Sequence, residues 1–94
     1  MITLFGSHDV SDYEKWKSFF DMFVGQAEVD HAIQETKVYR TVDGGRVVVT
    51  HTFNSKEDVD KHLAMMADPE GQEMAKQNGV VFPVTMWAAE EVDS

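Results

Sequence analysis

An apolar strand, Ile2-Thr3-Leu4-Phe5, runs on to His8 and is followed at once by a helix carrying Tyr13, Trp16, Phe19, Phe20 and Phe23. Those side chains are half of all the Phe, Tyr and Trp in the chain. A helix with so wide an apolar stripe must bury it against something flat, and a sheet containing the preceding strand is the nearest flat partner. This sets an ionisable ring, His8, at the mouth of an aromatic core.

The rest of the chain reads as a continuation of that unit. Ser11-Asp12-Tyr13-Glu14 has the form of a capping box, with Ser11 as cap and Glu14 reaching back, and the helix is expected to run to about Ala27. Residues 35–42 and 46–53 alternate as two strands around Asp43-Gly44-Gly45, whose glycines tolerate the positive φ of a tight hairpin. Ser55-Lys56-Glu57-Asp58 opens a second helix with Val59, Leu63 and Met66 on its apolar side and His62 one position from that seam. Asp68-Pro69 suits the cap and first position of a further short helix closed at Asn78-Gly79, and residues 81–89 form the last strand. The order is βαββαβ with an added helix. It predicts a single α+β domain over residues 1–94, a ferredoxin-like four-stranded antiparallel sheet with helices on one face. Only the tail from Glu90 to Ser94 reads as loose.

A domain of 94 residues buries a modest core, and without cysteine neither a disulfide nor a thiolate metal site can reinforce it. Self-association is the remaining common device. Strand alternation sorts the sheet into two faces. Leu4, His8, Arg40, Val47, His51 and Phe53 fall on the side expected beneath the helices. Thr3, Phe5, Tyr39, Thr50, Thr52 and Trp87 fall on the other, which is too apolar to face water alone. Such a surface most simply meets its own copy, so a homodimer formed through the sheet faces is expected.

The formal charge of −9 repels phosphate backbones and anionic headgroups, which excludes nucleic acid and membrane surfaces as partners. No apolar run approaches the ~20 residues that span a bilayer, and no signal-peptide pattern opens the chain, so a cytoplasmic location is expected.

Topology then gathers the polar groups. His8, Tyr13, Trp16, Arg40, His62, Met66 and Phe82 are expected at one end of the space between sheet and helices, with His51 near the opposite end. An imidazole at the edge of an apolar cavity suits general acid–base work, which makes His8 the candidate proton carrier. Arg40 or His62 would stabilise developing negative charge, so His8, His62 and Arg40 form the candidate catalytic set. Tyr13, Trp16, Met66 and Phe82 would wall a small hydrophobic or aromatic ligand. His31 reads as a solvated loop residue. Neither His-x-x-x-His nor a cysteine pair is present, and the glycine-rich phosphate cradle and serine elbow are missing, so no metal and no cofactor is expected.

The run from His8 through Lys17 (HDVSDYEKWK), then Phe20-Asp21, Val38-Tyr39-Arg40 and Val47-Val48-Val49 ahead of Phe53, resembles small bacterial proteins of the dimeric α+β-barrel superfamily. That set includes antibiotic-biosynthesis-type monooxygenases and polyketide cyclases. The resemblance covers nearly the whole chain and implies a homodimer joined through its sheets, with a ligand cavity between sheet and helices in each subunit. It implies a cofactor-independent cyclase or monooxygenase-like activity on an aromatic or polyketide-like metabolite, or else a non-catalytic ligand-binding or stress-related homodimer. Haem-degrading members carry an Asn, Trp and His arrangement, but here the first strand has no Asn and the second helix no Trp. Plant polyketide cyclases use a strand-one His with a Tyr and a second His around helix two. His8 answers the first, His62 stands near the Tyr position, and no second His follows.

Overall fold

The computed structural model describes residues 1–92, and its element order is β1 (Ile2–Val10), α1 (Tyr13–Asp30), β2 (Glu35–Arg40), β3 (Arg46–Phe53), α2 (Lys56–Met66), α3 (Pro69–Gln77) and β4 (Val80–Glu90). The expected loose tail falls partly outside those residues, and Glu90 itself closes β4. The strands form one antiparallel sheet in the order β2-β3-β1-β4, the ferredoxin-like arrangement. Ile2 lies opposite Phe53 and His8 opposite Val47, so β1 and β3 make the centre of the sheet.

Period-two alternation governs the middle of the sheet. Val47, Val49, His51 and Phe53 are all buried beneath the helices, while the residues between them are only half-buried. On the opposite face Tyr39 and Trp87 are 54% and 46% exposed, and the Phe5 and Trp87 rings stack at 5.3 Å. The apolar set expected on that face is there, and no helix among the described residues covers it.

Local chemistry explains the helix ends, with two departures from expectation. Ser55 caps α2 by accepting from the Asp58 N–H, and Asp68 caps α3 with Pro69 at its first position. The cap of α1 is Asp12, not Ser11: its carboxylate accepts from the Lys15 N–H. The backbone N–H of Ser11, one residue before the cap, donates to the Gly79 carbonyl at 3.0 Å. Gly79 has φ +93°, and a Cβ there would sit 3.0 Å from the Asp12 carbonyl and 3.4 Å from Trp16 Cβ. Only glycine allows the end of α3 to press so closely on the start of α1. At its other end α1 runs past Ala27 to Asp30. His31 is the cap there and Ala32 takes the left-handed conformation, φ 55°, that glycine would ordinarily mark.

The core is divided. Leu4, Ala27, Ile33, Phe53 and Val59 pack together beneath the start of α2 and the end of α1. Trp16, Val47, Val49 and Val80 form a second cluster beneath the start of α1. No helix among the described residues is long and apolar enough to cross a membrane.

Candidate functional site

Between the two clusters lies a cavity of about 370 Å³, within the range of small-molecule sites. Its walls come from every layer: Leu4 and Val49 from the sheet, Trp16 and Phe20 from α1, Met66 from α2, and Phe82 from β4. Three of its wall residues are histidines, His8, His51 and His62. A row of rings runs along it. Trp16 meets His8 edge-on at 5.6 Å and stacks on Phe20 at 4.9 Å; Phe20 stacks on His51 at 6.2 Å, and His51 meets His62 at 5.0 Å.

His8 stands at one end of the row. It is 8% exposed, and its Nδ1 lies 2.9 Å from the Asp9 carbonyl oxygen. A carbonyl can only accept, so Nδ1–H donates and a neutral His8 carries its lone pair on Nε2. Burial pushes its pKa below the usual histidine value, against the pull of that carbonyl, so the neutral form prevails at pH 7. The sheet is irregular at this point. Pairing of β1 with β4 jumps from Ser7–Thr85 to Asp9–Val81, leaving Phe82, Pro83 and Val84 bulged opposite His8. The bulge brings all three side chains to the cavity wall.

The other end holds a cluster the sequence did not announce. His62 is 1% exposed, and its Nδ1 lies 3.0 Å from Nδ1 of His31. Thr36 Oγ1 is hydrogen-bonded to His51 Nδ1 at 2.9 Å. Burial pushes His51 down to about 4. Burial first, and then the neighbouring His51 and His31, push His62 down to about 3. A hydrogen bond between two imidazole nitrogens requires one of the His31 and His62 pair to donate its Nδ1–H to the bare Nδ1 of the other.

The expected gathering is therefore realised only in part. His8, Trp16, Met66 and Phe82 share the cavity, and Trp16 touches Tyr13 at 5.8 Å. Tyr13 and Arg40 stand outside its walls: the guanidinium lies 4.1 Å over the Tyr13 ring, and Arg40 Nε donates to the Gly44 carbonyl at 3.1 Å. His62 lines the cavity at the His51 end and not beside His8. The reason is a difference in rise. Six helical residues from Lys56 advance roughly 9 Å, whereas six strand residues from Phe53 back to Val47, level with His8, cover roughly 20 Å. His31, expected to be solvated, is half-buried against His62. No sequence signal pointed to it, because α1 ends there without glycine or proline. Among the described residues no group of three or more His, Cys, Asp or Glu is arranged to hold a metal ion.

No protein-family model and no curated protein matches the sequence, but solved structures match the fold over almost its full length. A dimeric ferredoxin-like protein from an uncultured marine organism superposes with TM-score 0.69 at 11% identity, covering 100% of this chain and 97% of that one. SnoaB, a cofactor-independent oxygenase from Streptomyces nogalater, gives TM-score 0.69 at 11% identity, covering 99% and 94%. A monooxygenase from Streptomyces coelicolor, in complex with Nanaomycin D, gives 0.65 at 13% identity, covering 99% and 88%. Identities so low carry the architecture and nothing finer. The resemblance read from the sequence holds at the level of fold: the chain has a ferredoxin-like fold, shared with solved structures described as antibiotic biosynthesis monooxygenases.

Proposed function

We propose that the protein binds a flat, largely apolar metabolite, aromatic or polyketide-like, in the cavity. His8 takes a proton from it in a cofactor-independent reaction of the monooxygenase or cyclase type. One observation carries this reading: a cavity of about 370 Å³ with apolar walls ends at a neutral imidazole whose Nδ1 is tied to the backbone, leaving Nε2 as base. The ring row along α1 suits a planar ligand by stacking. Removing a proton from a phenol or an acidic carbon gives an electron-rich anion. Such an anion either adds to a carbonyl within the same molecule, closing a ring, or reacts with oxygen directly. The fold relatives described as a cofactor-independent oxygenase and as a monooxygenase binding Nanaomycin D support the second course.

The bare sheet face, with Phe5 stacked on Trp87 and Tyr39 exposed, supports a homodimer formed through the sheets, as does the fold relative described as dimeric. A non-catalytic binding homodimer is the second reading, favoured by one observation: Arg40 lies over Tyr13, away from the cavity, so its positive charge does not face a developing anion there.

The test is a thermal-shift screen with phenolic and quinone-like metabolites, followed by absorbance and oxygen-uptake assays on those that stabilise the protein. Turnover that falls about a hundredfold or more in His8→Ala supports the catalytic reading. Ligand stabilisation without product, unaltered in His8→Ala, leaves binding alone.

A further inference from the structure

The mutual contact of His31 and His62 is not used by the reaction proposed above, and it lies between two spaces. His62 lines the main cavity, while His31 lines a separate hollow of about 120 Å³ with Gln26 and Asp30 near the end of α1. The two rings meet edge to face at 78°, with Nδ1 to Nδ1 at 3.0 Å. Among the described residues no buried side-chain nitrogen or oxygen lacks a partner. No hydrogen bond among the described residues reaches His62 Nε2, so that atom keeps some exposed area, and the space His62 lines is the main cavity. His31 is half-buried and reaches water through its hollow.

We propose that the His31–His62 pair is a proton path joining bulk water to the cavity. An acid bound in the cavity gives its proton to His62 Nε2. The proton already on His62 Nδ1 passes to the bare Nδ1 of His31, and His31 Nε2–H releases one to water. In these three proton transfers two N–H bonds form and two break, the acid loses a proton and water gains one, leaving each ring in its other neutral tautomer; the reverse sequence delivers a proton. The ionisable groups bordering the pair are Asp30, which lines the hollow, and His51, whose ring centroid is 5.0 Å from that of His62 and whose Nδ1 is held by Thr36. His51 disfavours charge on His62, so a proton arriving there is passed on toward His31.

This path rests on the cavity being the working site, but its test needs no ligand, so it can fail while the ligand reading stands. In protein labelled with ¹⁵N at histidine, the exchange of the His62 ring proton with water is measured by NMR in the wild type and in His31→Gln. Glutamine still offers a hydrogen-bonding partner but cannot relay. Exchange should slow about a hundredfold in the variant, at the low end of what a positioned proton-transfer group supplies. His31→Asn serves if the amide spectrum shows the glutamine variant unfolded. Equal exchange rates in wild type and variant would overturn the path and leave a static hydrogen bond.

Discussion

Burial keeps the imidazoles at both ends of the cavity neutral, but it does so in different company. At one end His8 stands alone on a strand, its tautomer set by a backbone carbonyl and its open nitrogen beside a bulge in the edge strand. At the other, His62 and His51 are buried side by side, with His31 and Thr36 as their hydrogen-bonding partners. A single tethered imidazole is arranged to accept a proton from whatever occupies the cavity. A cluster of imidazoles resists charging, because each added charge opposes the next. The first arrangement suits chemistry on a ligand. The second suits passing protons on, and it ties the stability of the fold to pH.

That linkage gives the largest expected effect. An unfolded histidine titrates near 6.5, whereas folded His51 and His62 titrate near 4 and 3. Their folded values are depressed, so their stabilisation is full above about pH 6.5 and is lost as pH falls through the folded values. Between those limits the unfolded chain binds protons the folded one does not, and each group removes ~1.4 kcal/mol per pH unit. Chemical denaturation from pH 6 to 4.5 should show stability falling by about 2–3 kcal/mol per unit. His62→Gln should roughly halve the slope, and an unchanged slope would break the contrast between the two ends. Next in size is Gly79→Ala. It combines an unfavourable backbone conformation with a contact on Asp12 and Trp16, and should cost about 2 kcal/mol in denaturant melts. It should also disturb the His8 end alone, through Trp16. Smallest is Arg40→Ala, which removes an exposed cation–π contact and should cost under about 1 kcal/mol. Ligand affinity should not change in that variant, and a clear loss by calorimetry would bring Arg40 into the site.

Strand alternation made most of the sheet legible, because a residue's face follows from its parity alone. Leu4, Val47, Val49 and Phe53 are where that rule puts them, and so is the exposed set that includes Tyr39 and Trp87. The hairpin and the caps at Ser55 and Asp68 were equally readable, since each depends on a few adjacent residues. What stayed hidden depends on contacts between elements. Ser11 and Asp12 are both good caps, and nothing in the adjacent residues chooses Asp12 over Ser11. The cluster of His31, His51 and His62 draws on three separate elements, one of them a helix end with no sequence marker. Its discovery required knowing how far α2 travels over the sheet. The bulge opposite His8 was likewise foreshadowed only by Pro83, a residue that edge strands tolerate.

The central claim is that a flat ligand lies along the ring row with its acidic group at His8 Nε2. Titrating ¹⁵N-histidine-labelled protein with 1-naphthol while recording the imidazole nitrogens tests it directly. The account predicts that His8 Nε2 moves from a bare toward a proton-sharing position, with the Trp16 indole shifting alongside. Saturable binding of 1-naphthol that leaves both His8 nitrogens where they were would contradict it.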